Sequence, residues 1–191
     1  MFLLNEKVVY PGYGVAIINR LVERLVLAKK TNFFELKFYS KDMTVLIPED
    51  RLESIGVRKL SSLKELANMF EHLSAFGAHD IVTEHNASTW NKRNKEYQSK
   101  LRSGQLFQIS SIYKELQLIA LDKELSFGER NLFNQIELLL IEEISAVKQN
   151  EAVEDIRLKL RHPFELMNKQ MNKQIVGTMH IKGSISTQIS L

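Results

Sequence analysis

The chain has no cysteine, three prolines and a single tryptophan among its 191 residues. Without cysteine it can form no disulfide, no thiolate nucleophile and no cysteine-ligated zinc site, and a reducing intracellular compartment suits it. Its apolar runs are too short to span a bilayer, and its N-terminus lacks the basic stretch that begins a secretion signal. We therefore expect a cytoplasmic protein without a membrane partner.

Positively and negatively charged residues are also present in nearly equal numbers. The 26 Lys and Arg against 23 Asp and Glu leave a net charge of +3, and 44% of the residues are hydrophobic. This composition is typical of an ordinary globular protein that is long enough to bury a core. So small a net charge does not by itself indicate nucleic-acid binding, and any basic surface has to be local.

The segment before residue 60 has the pattern of short β-strands. In "FFELKFY" the apolar Phe34, Leu36 and Phe38 alternate with charged residues, which indicates a half-buried strand. "PGYG", residues 11–14, resembles a fragment of a dinucleotide fingerprint but lacks its third glycine and following helix, so it is interpreted as a hairpin turn. Four or five strands over this length predict a small, strongly bent sheet or partly open barrel.

After residue 60 the apolar period changes from 2 to 3.6. Two capping boxes, which begin at Ser62 and Ser126, open predicted helices with apolar stripes. We therefore predict an α+β protein in which a barrel over residues 1–60 precedes an all-helical bundle over 61–160. Pro163 is expected to stop the last helix and to leave residues 161–191 as a loosely ordered tail.

Signals of catalysis are weak. The sequence contains no phosphate-binding loop and no nucleophile elbow, and its five histidines are scattered. His79 and His85 have acidic neighbours but fall in a predicted loop between helices, without the spacing of a helical metal site. We expect no enzymatic activity, no cofactor and no metal.

The tryptophan lies in the stretch "NASTWNKRNKEYQSKLRSG", residues 86–104. Ser88 or Thr89 is the predicted N-cap of its helix, and the five cations between residues 91 and 102 face one glutamate, a local charge of +4. At helical spacing Trp90 shares a face with Tyr97 and Leu101, so it could complete the bundle core. It could equally be an exposed aromatic that stacks on or wedges at nucleic-acid bases while cations hold phosphates.

Five segments, taken together and in order, resemble the CarD/CdnL family of bacterial transcription regulators over residues 1–150. They are "KVVYPGYGV", "DMTVLIP", "WNKR", "KLRSG" and "LSFGER". The resemblance implies a Tudor-like barrel that docks on the β subunit of RNA polymerase. It also implies a helical domain that contacts promoter DNA in the minor groove at the upstream edge of the transcription bubble, where Trp90 stabilises the open complex. The regulator would be non-catalytic and is expected to be a monomer.

The resemblance assigns two sets of residues. Trp90, Lys92, Arg93 and Lys95 match the DNA-binding motif, although Lys92 stands where relatives often carry Arg and so offers a point charge instead of a fork. The matches to the polymerase-docking surface are Arg24, Leu36, Leu46 and Pro48, and some relatives carry Arg in place of Leu46. The alternation of its strand is equally compatible with Leu36 in the barrel core.

Two other interpretations remain. A general nucleic-acid-binding module without polymerase contact would explain the basic stretch but would leave the barrel without a role. Transcription-repair coupling factors contain a barrel of this type, but their translocase needs nucleotide-binding motifs that this sequence lacks.

Overall fold

The computed structural model describes residues 2–76 and 87–186, with the backbone alone for residues 87–89 and 174–186. The five strands are β1 (Lys7–Tyr10), β2 (Gly14–Val26), β3 (Lys29–Phe38), β4 (Thr44–Pro48) and β5 (Arg58–Lys59). The helices are α1 (Leu52–Ile55), α2 (Leu63–Ser74), α3 (Ala87–Ser103), α4 (Leu106–Asp122), α5 (Phe127–Lys148) and α6 (Val153–Ser186), and a single turn of 3-10 helix (Glu49–Arg51) precedes α1. His79 and His85 lie outside the described residues.

The strands form one antiparallel sheet with the order β4-β3-β2-β1-β5, so β4 and β5 are its edges. Phe34, Leu36 and Phe38 are buried at 7%, 0% and 3% exposure, which confirms the predicted alternation. An N-terminal antiparallel five-stranded sheet followed by helices confirms the predicted α+β class. We call this sheet domain the barrel.

The predicted hairpin turn joins β1 to β2. Gly12 and Gly14 adopt φ angles of +74° and +103°, a region in which glycine is not strained. The register then pairs Tyr10 with Gly14 and Val9 with Val15. The turn thus brings two β-branched runs together, and Val9 and Val15 are both buried.

Helices α2 to α6 form the second layer, the helical half. Both predicted capping boxes are present, at Ser62 with Glu65 and at Ser126 with Glu129. Leu66, Met69 and Leu73 of α2 enter a core shared with α3 to α6. Each of these five helices contributes an apolar stripe to one shared core. The stability of the helices therefore depends mostly on tertiary packing and less on local helix propensity.

The prediction that Pro163 stops the last helix is wrong, because α6 continues through Pro163 to Ser186. Proline removes one backbone donor from a helix and costs about 3 kcal/mol in an interior position. Contacts on both sides of it offset that cost. Phe164 is 2% exposed and packs edge-on against Tyr113, and Arg161 forms an ion pair with the buried Glu137. Residues 187–191 lie outside the described residues.

Helix α3 begins earlier than predicted. Its helical backbone starts at Ala87, so neither Ser88 nor Thr89 is the N-cap. An N-cap residue has non-helical dihedral angles, and both of these residues lie inside the helix. Packing of α3 on the bundle fixes where the helix runs, and the local capping signal does not contain that information.

Candidate functional sites

Helix α3 presents two faces with different chemistry. Arg93, Tyr97 and Leu101 point into the helical half and are 8%, 1% and 4% exposed. Lys92 and Lys95 are exposed on the opposite side, as is Arg102 about two turns further on. Helical spacings of three and seven residues place these three cations on one solvent-facing stripe. The local positive charge predicted from the sequence is therefore divided between an outer stripe and an inner ion pair.

Trp90 lies at the N-terminal end of the inner face, seven residues before Tyr97. It is half-buried, and its ring packs against Tyr97 with the centroids 6.3 Å apart and the planes at 60°. Its Cζ2 atom lies 3.2 Å from the point where a Cβ on Gly128 would stand. The lack of a side chain at Gly128 thus allows the indole to lie against the first turn of α5. Trp90 contributes to the edge of the core and still keeps part of its ring accessible.

Arg93 does not belong to the exposed cations, which corrects its assignment as a phosphate contact. Its Nη2 atom donates to Oε1 of Glu129 at 2.9 Å, and the Glu129 residue is 1% exposed. A buried guanidinium that is already paired with a carboxylate cannot reach a phosphate without losing that pair. Arg93 is a positioning residue, since it ties the start of α3 to the start of α5 beside Trp90.

Glu129 has three functions at this contact. It accepts hydrogen bonds from the backbone N–H and the hydroxyl of Ser126 at 2.9 and 2.8 Å, which completes the capping box, and it pairs with Arg93. Burial acts to raise the pKa of Glu129, but the bonds from Ser126 and the nearby charges of Lys123 and Arg93 outweigh it. The net effect is a lowered pKa, so the carboxylate stays ionised at neutral pH.

Phe127 is a residue that the sequence-based assignment missed. It is 82% exposed, although it immediately precedes Gly128, on which Trp90 packs. A largely exposed phenylalanine next in sequence to the glycine that meets Trp90 adds exposed apolar surface at the start of α5. The segment "LSFGER" was the available signal, because it resembles the family's motif at the position that opens α5.

The outer face of the barrel sheet holds three of the four predicted docking residues. Strand register places Arg20, Glu35 and Leu46 in one row and Val22, Phe33 and Pro48 in the next, with Arg24 opposite Thr31 beyond them. Residues directly opposite each other in an antiparallel sheet project to the same side. Arg24, Leu46 and Pro48 therefore share one face. The rows also add two half-buried residues that the sequence did not indicate, Val22 and Phe33.

Leu36 lies on the other face of this sheet, so its assignment to the docking surface is wrong. Its side chain is 0% exposed and belongs to the barrel core with Ile18 and Phe34. Side chains of β3 alternate between the two faces of the sheet, so Glu35 faces outward while Phe34 and Leu36 on either side of it face the core. Of the two interpretations open for Leu36, the structure supports the barrel core.

The β2–β3 hairpin extends beyond the barrel core and ends in an apolar tip. Leu25 and Leu27 are 72% and 97% exposed, and Leu27 and Ala28 adopt φ angles of +49° and +62°. Side chains other than glycine, asparagine and aspartate rarely adopt positive φ. The tight turn therefore presents leucine side chains to solvent next to the exposed Arg24.

No cluster of three or more metal-ligating side chains occurs within the described residues. Across the same part of the chain, no helix combines the length and the apolar character that a membrane span requires.

Two family models match this chain in succession. The model of the CarD-like/TRCF RID domain matches residues 2–61, and that of the CarD C-terminal domain matches residues 78–157. The first match contains all five strands and the second contains helices α3, α4 and α5. The two models together account for most of the sequence, in the order that the resemblance of the five segments implied.

The chain is also similar to a curated relative and, in sequence, to part of a solved structure. The chain is 24% identical over 151 residues to YdeB of Bacillus subtilis (strain 168), which is described as a candidate transcription factor, and the match covers 78% of this chain and 93% of that protein. The solution NMR structure of the 72-residue N-terminal domain of Myxococcus xanthus CarD is 29% identical, covers 31% of this chain and 79% of that domain, and gives a TM-score of 0.27.

Proposed function

Because this chain belongs to the CarD/CdnL family, a family of transcription-associated factors, we propose that it docks on the β subunit of RNA polymerase and stabilises the open promoter complex through Trp90. In this proposal the barrel binds the polymerase and the helical half contacts DNA in the minor groove at the upstream edge of the bubble. Regulation would be cytoplasmic and non-catalytic, and a monomer would suffice.

The position of Trp90 is the observation that carries the proposal. The ring is half-buried at the beginning of a helix, so part of its surface stays accessible to a partner while the rest packs on the core. Its buried part rests on Tyr97 and on the first turn of α5, which fixes the direction of the remaining surface. A fixed, partly exposed aromatic ring can insert at an unstacked base step without losing much conformational entropy.

Charge on the exposed side of α3 supports contact with a nucleic-acid backbone. Lys92 and Lys95 lie two and five residues after Trp90 but on the side of the helix away from its ring, so they would approach phosphates that flank the bases met by the ring. Two or three such contacts give weak, salt-sensitive binding on their own. We therefore infer that the polymerase supplies most of the affinity for the promoter by holding this chain next to the DNA.

The outer face of the barrel supports a protein partner. It combines apolar side chains of Val22, Phe33, Leu46 and Pro48 with the exposed Arg24, and β4 is an edge strand whose outer backbone groups are available to a further strand. Apolar contacts beside an arginine are the common composition of a protein interface. Addition of a strand from the partner to β4 would satisfy the free edge.

A binding experiment with charge-reversed variants tests the docking face. Arg24→Glu should weaken binding of the full chain to the polymerase by at least tenfold, because it turns attraction to an acidic partner surface into repulsion. Lys64→Glu is the matched control, since Lys64 is an exposed cation on α2, away from the sheet. Equal binding of the two variants would contradict the assignment of Arg24. Tight binding to DNA at physiological salt without polymerase would favour a general nucleic-acid-binding module.

A further inference from the structure

A continuous contact joins the barrel to the helical half, and it is built from segments for which the proposed binding surfaces give no role. On the barrel side it includes the β1–β2 turn, Ser40, and the end of the sheet at Arg58. On the helical side it includes Gly104, directly after α3, and the adjacent Glu142 and Glu143 of α5. We call this contact the joint.

Glu143 is the polar centre of the joint. Its two carboxylate oxygens accept from Nη1 and Nη2 of Arg58 at 2.7 and 2.8 Å. The same carboxylate accepts from the backbone N–H and the hydroxyl of Ser61 at 3.1 and 2.7 Å, and Glu143 is 3% exposed. Arg58 also donates from Nε to the carbonyl oxygen of Gly104 at 2.7 Å. A bidentate, buried pair of this kind holds both direction and distance.

Close packing removes the remaining freedom. A Cβ on Gly104 would stand 3.0 Å from Cγ of Pro11, and one on Gly14 would stand 2.0 Å from the Glu142 carboxylate. Gly104 also has a φ of +64°, which disfavours other residues. Glu142 accepts from the backbone N–H of Val15 at 3.1 Å and from the hydroxyl of Ser40. The "YPGYG" and "KLRSG" segments thus meet each other here through Pro11 and Gly104.

Helix α5 connects this joint to the tryptophan. Its first turn carries Gly128 and Glu129, which contact Trp90 and Arg93, and Glu142 and Glu143 lie fourteen residues further along the same helix. At a rise of 1.5 Å per residue the two contacts are about 21 Å apart along one rigid element. The orientation of the barrel is therefore transmitted to the side chain that is proposed to act on DNA.

We propose that the joint is a positioning device that holds the polymerase-docking face and Trp90 in one fixed relative orientation, so that docking alone places the ring at the promoter. This inference rests on the proposed function. Its positioning residues are Arg58, Glu142 and Glu143, which contact neither of the proposed binding surfaces. Loss of the joint should leave both binding surfaces intact. It should reduce only the stabilisation of the open promoter complex, which requires the two surfaces to act together.

A distance measurement between spin labels tests the fixed orientation without polymerase. Because the chain has no cysteine, Lys37→Cys on the barrel and Gln108→Cys on α4 give two unique labelling sites, both of them exposed. The parent should give one narrow distance distribution, and Glu142→Ala combined with Arg58→Ala should broaden it while circular dichroism shows retained strands and helices. Glu71→Ala, at an exposed glutamate of α2, is the control and should leave the distribution narrow. An equally narrow distribution in the joint variant would overturn the proposal.

The open-complex lifetime tests whether the fixed orientation matters for the action on promoter DNA. Glu142→Ala alone removes the bonds to Val15 and Ser40 at a half-buried site and keeps the Arg58–Glu143 pair, so it should fold even if the double variant does not. It should bind polymerase with parental affinity and shorten the open-complex lifetime severalfold. A broadened distance distribution with an unchanged lifetime would show that orientation does not matter, which also overturns the proposal.

Cross-linking provides the rescue. Ser40→Cys with Glu142→Cys replaces the hydrogen-bonded pair by two thiols, which a short bismaleimide can join. The uncross-linked form should shorten the open-complex lifetime, and the cross-linked form should restore the parental lifetime. A lifetime that stays short after cross-linking would contradict a positioning role. Failure of the proposed function is separate, since Trp90→Ala would then leave the lifetime unchanged even though the joint is intact.

Discussion

Replacement of Arg93 distinguishes a structural ion pair from a phosphate contact. In Arg93→Ala the buried carboxylate of Glu129 loses the guanidinium that lies 2.9 Å away. Removing one partner of a buried ion pair typically costs about 3 to 5 kcal/mol. The pair here has a single hydrogen bond, and the two bonds from Ser126 remain, so we expect the lower end, about 3 kcal/mol. In a protein of this length that loss lowers the melting temperature by about 6 to 12 °C.

Two further variants make the result specific. Lys95→Ala removes an exposed cation two residues away and should change stability by less than about 0.5 kcal/mol. Arg93→Met with Glu129→Gln removes both charges and keeps a side chain that can complete the capping box, so most of the stability should return.

Urea denaturation of these variants, together with their affinity for a promoter fragment, shows whether Arg93 stabilises the fold or binds a phosphate. If Arg93→Ala unfolds at the same urea concentration as Lys95→Ala and binds DNA more weakly, the ion pair does not stabilise the fold. In that case the original assignment of Arg93 to phosphate binding would be correct.

Two more predictions concern the same region and the bundle around it. Gly128→Ala places a methyl group 3.2 Å from Trp90, so the ring should move outward and its fluorescence, which comes from the single tryptophan, should shift to longer wavelength. An unchanged spectrum with a gain of about 1 kcal/mol, the helix preference of Ala over Gly, would show that the indole does not rest on this residue. Burial acts to raise the pKa of Glu137, but bonds from Arg161 and Tyr113 and the charge of Arg157 lower it overall. The stability that Glu137 and Glu129 contribute is therefore complete above about pH 4.3, the ordinary glutamate value, and is lost as the pH falls through their lowered folded pKa values. Urea melts at pH 7, 4 and 3 should show a decline confined to the acid range, and a flat profile would contradict the two buried ion pairs.

Local sequence patterns predicted the parts of this fold that depend on short-range physics. The alternation of Phe34, Leu36 and Phe38 and the capping boxes at Ser62 and Ser126 are confirmed because each depends on residues within four positions of one another. The same alternation could have excluded Leu36 from the docking face. A spacing of three from Trp90 could likewise have placed Arg93 on the inner side of α3.

Other features depend on contacts that a local pattern does not contain. Arg58 and Glu143 are 85 positions apart, and Arg93 and Glu129 are 36 apart. The rows of the outer sheet face depend on an irregularity between Ile18 and Arg20, which shifts every later residue of β2 relative to β3. Pro163 was expected to end a helix because its local cost is certain, whereas the packing of Phe164 that offsets it is tertiary.

The lifetime of the open promoter complex in the presence of Trp90→Ala is the most direct test of the central claim. Stacking on a base contributes about 1 to 3 kcal/mol, so the variant should shorten the lifetime roughly 5- to 150-fold when polymerase is saturated with it. Since Trp90 is half-buried, the same variant should also lose some stability, about 2 kcal/mol, and the assay belongs at a temperature where it stays folded. Phe107→Ala, at an aromatic residue of α4 that is 53% exposed, is the control and should leave the lifetime unchanged. A parental lifetime with Trp90→Ala at full polymerase occupancy would contradict the proposed role of the tryptophan.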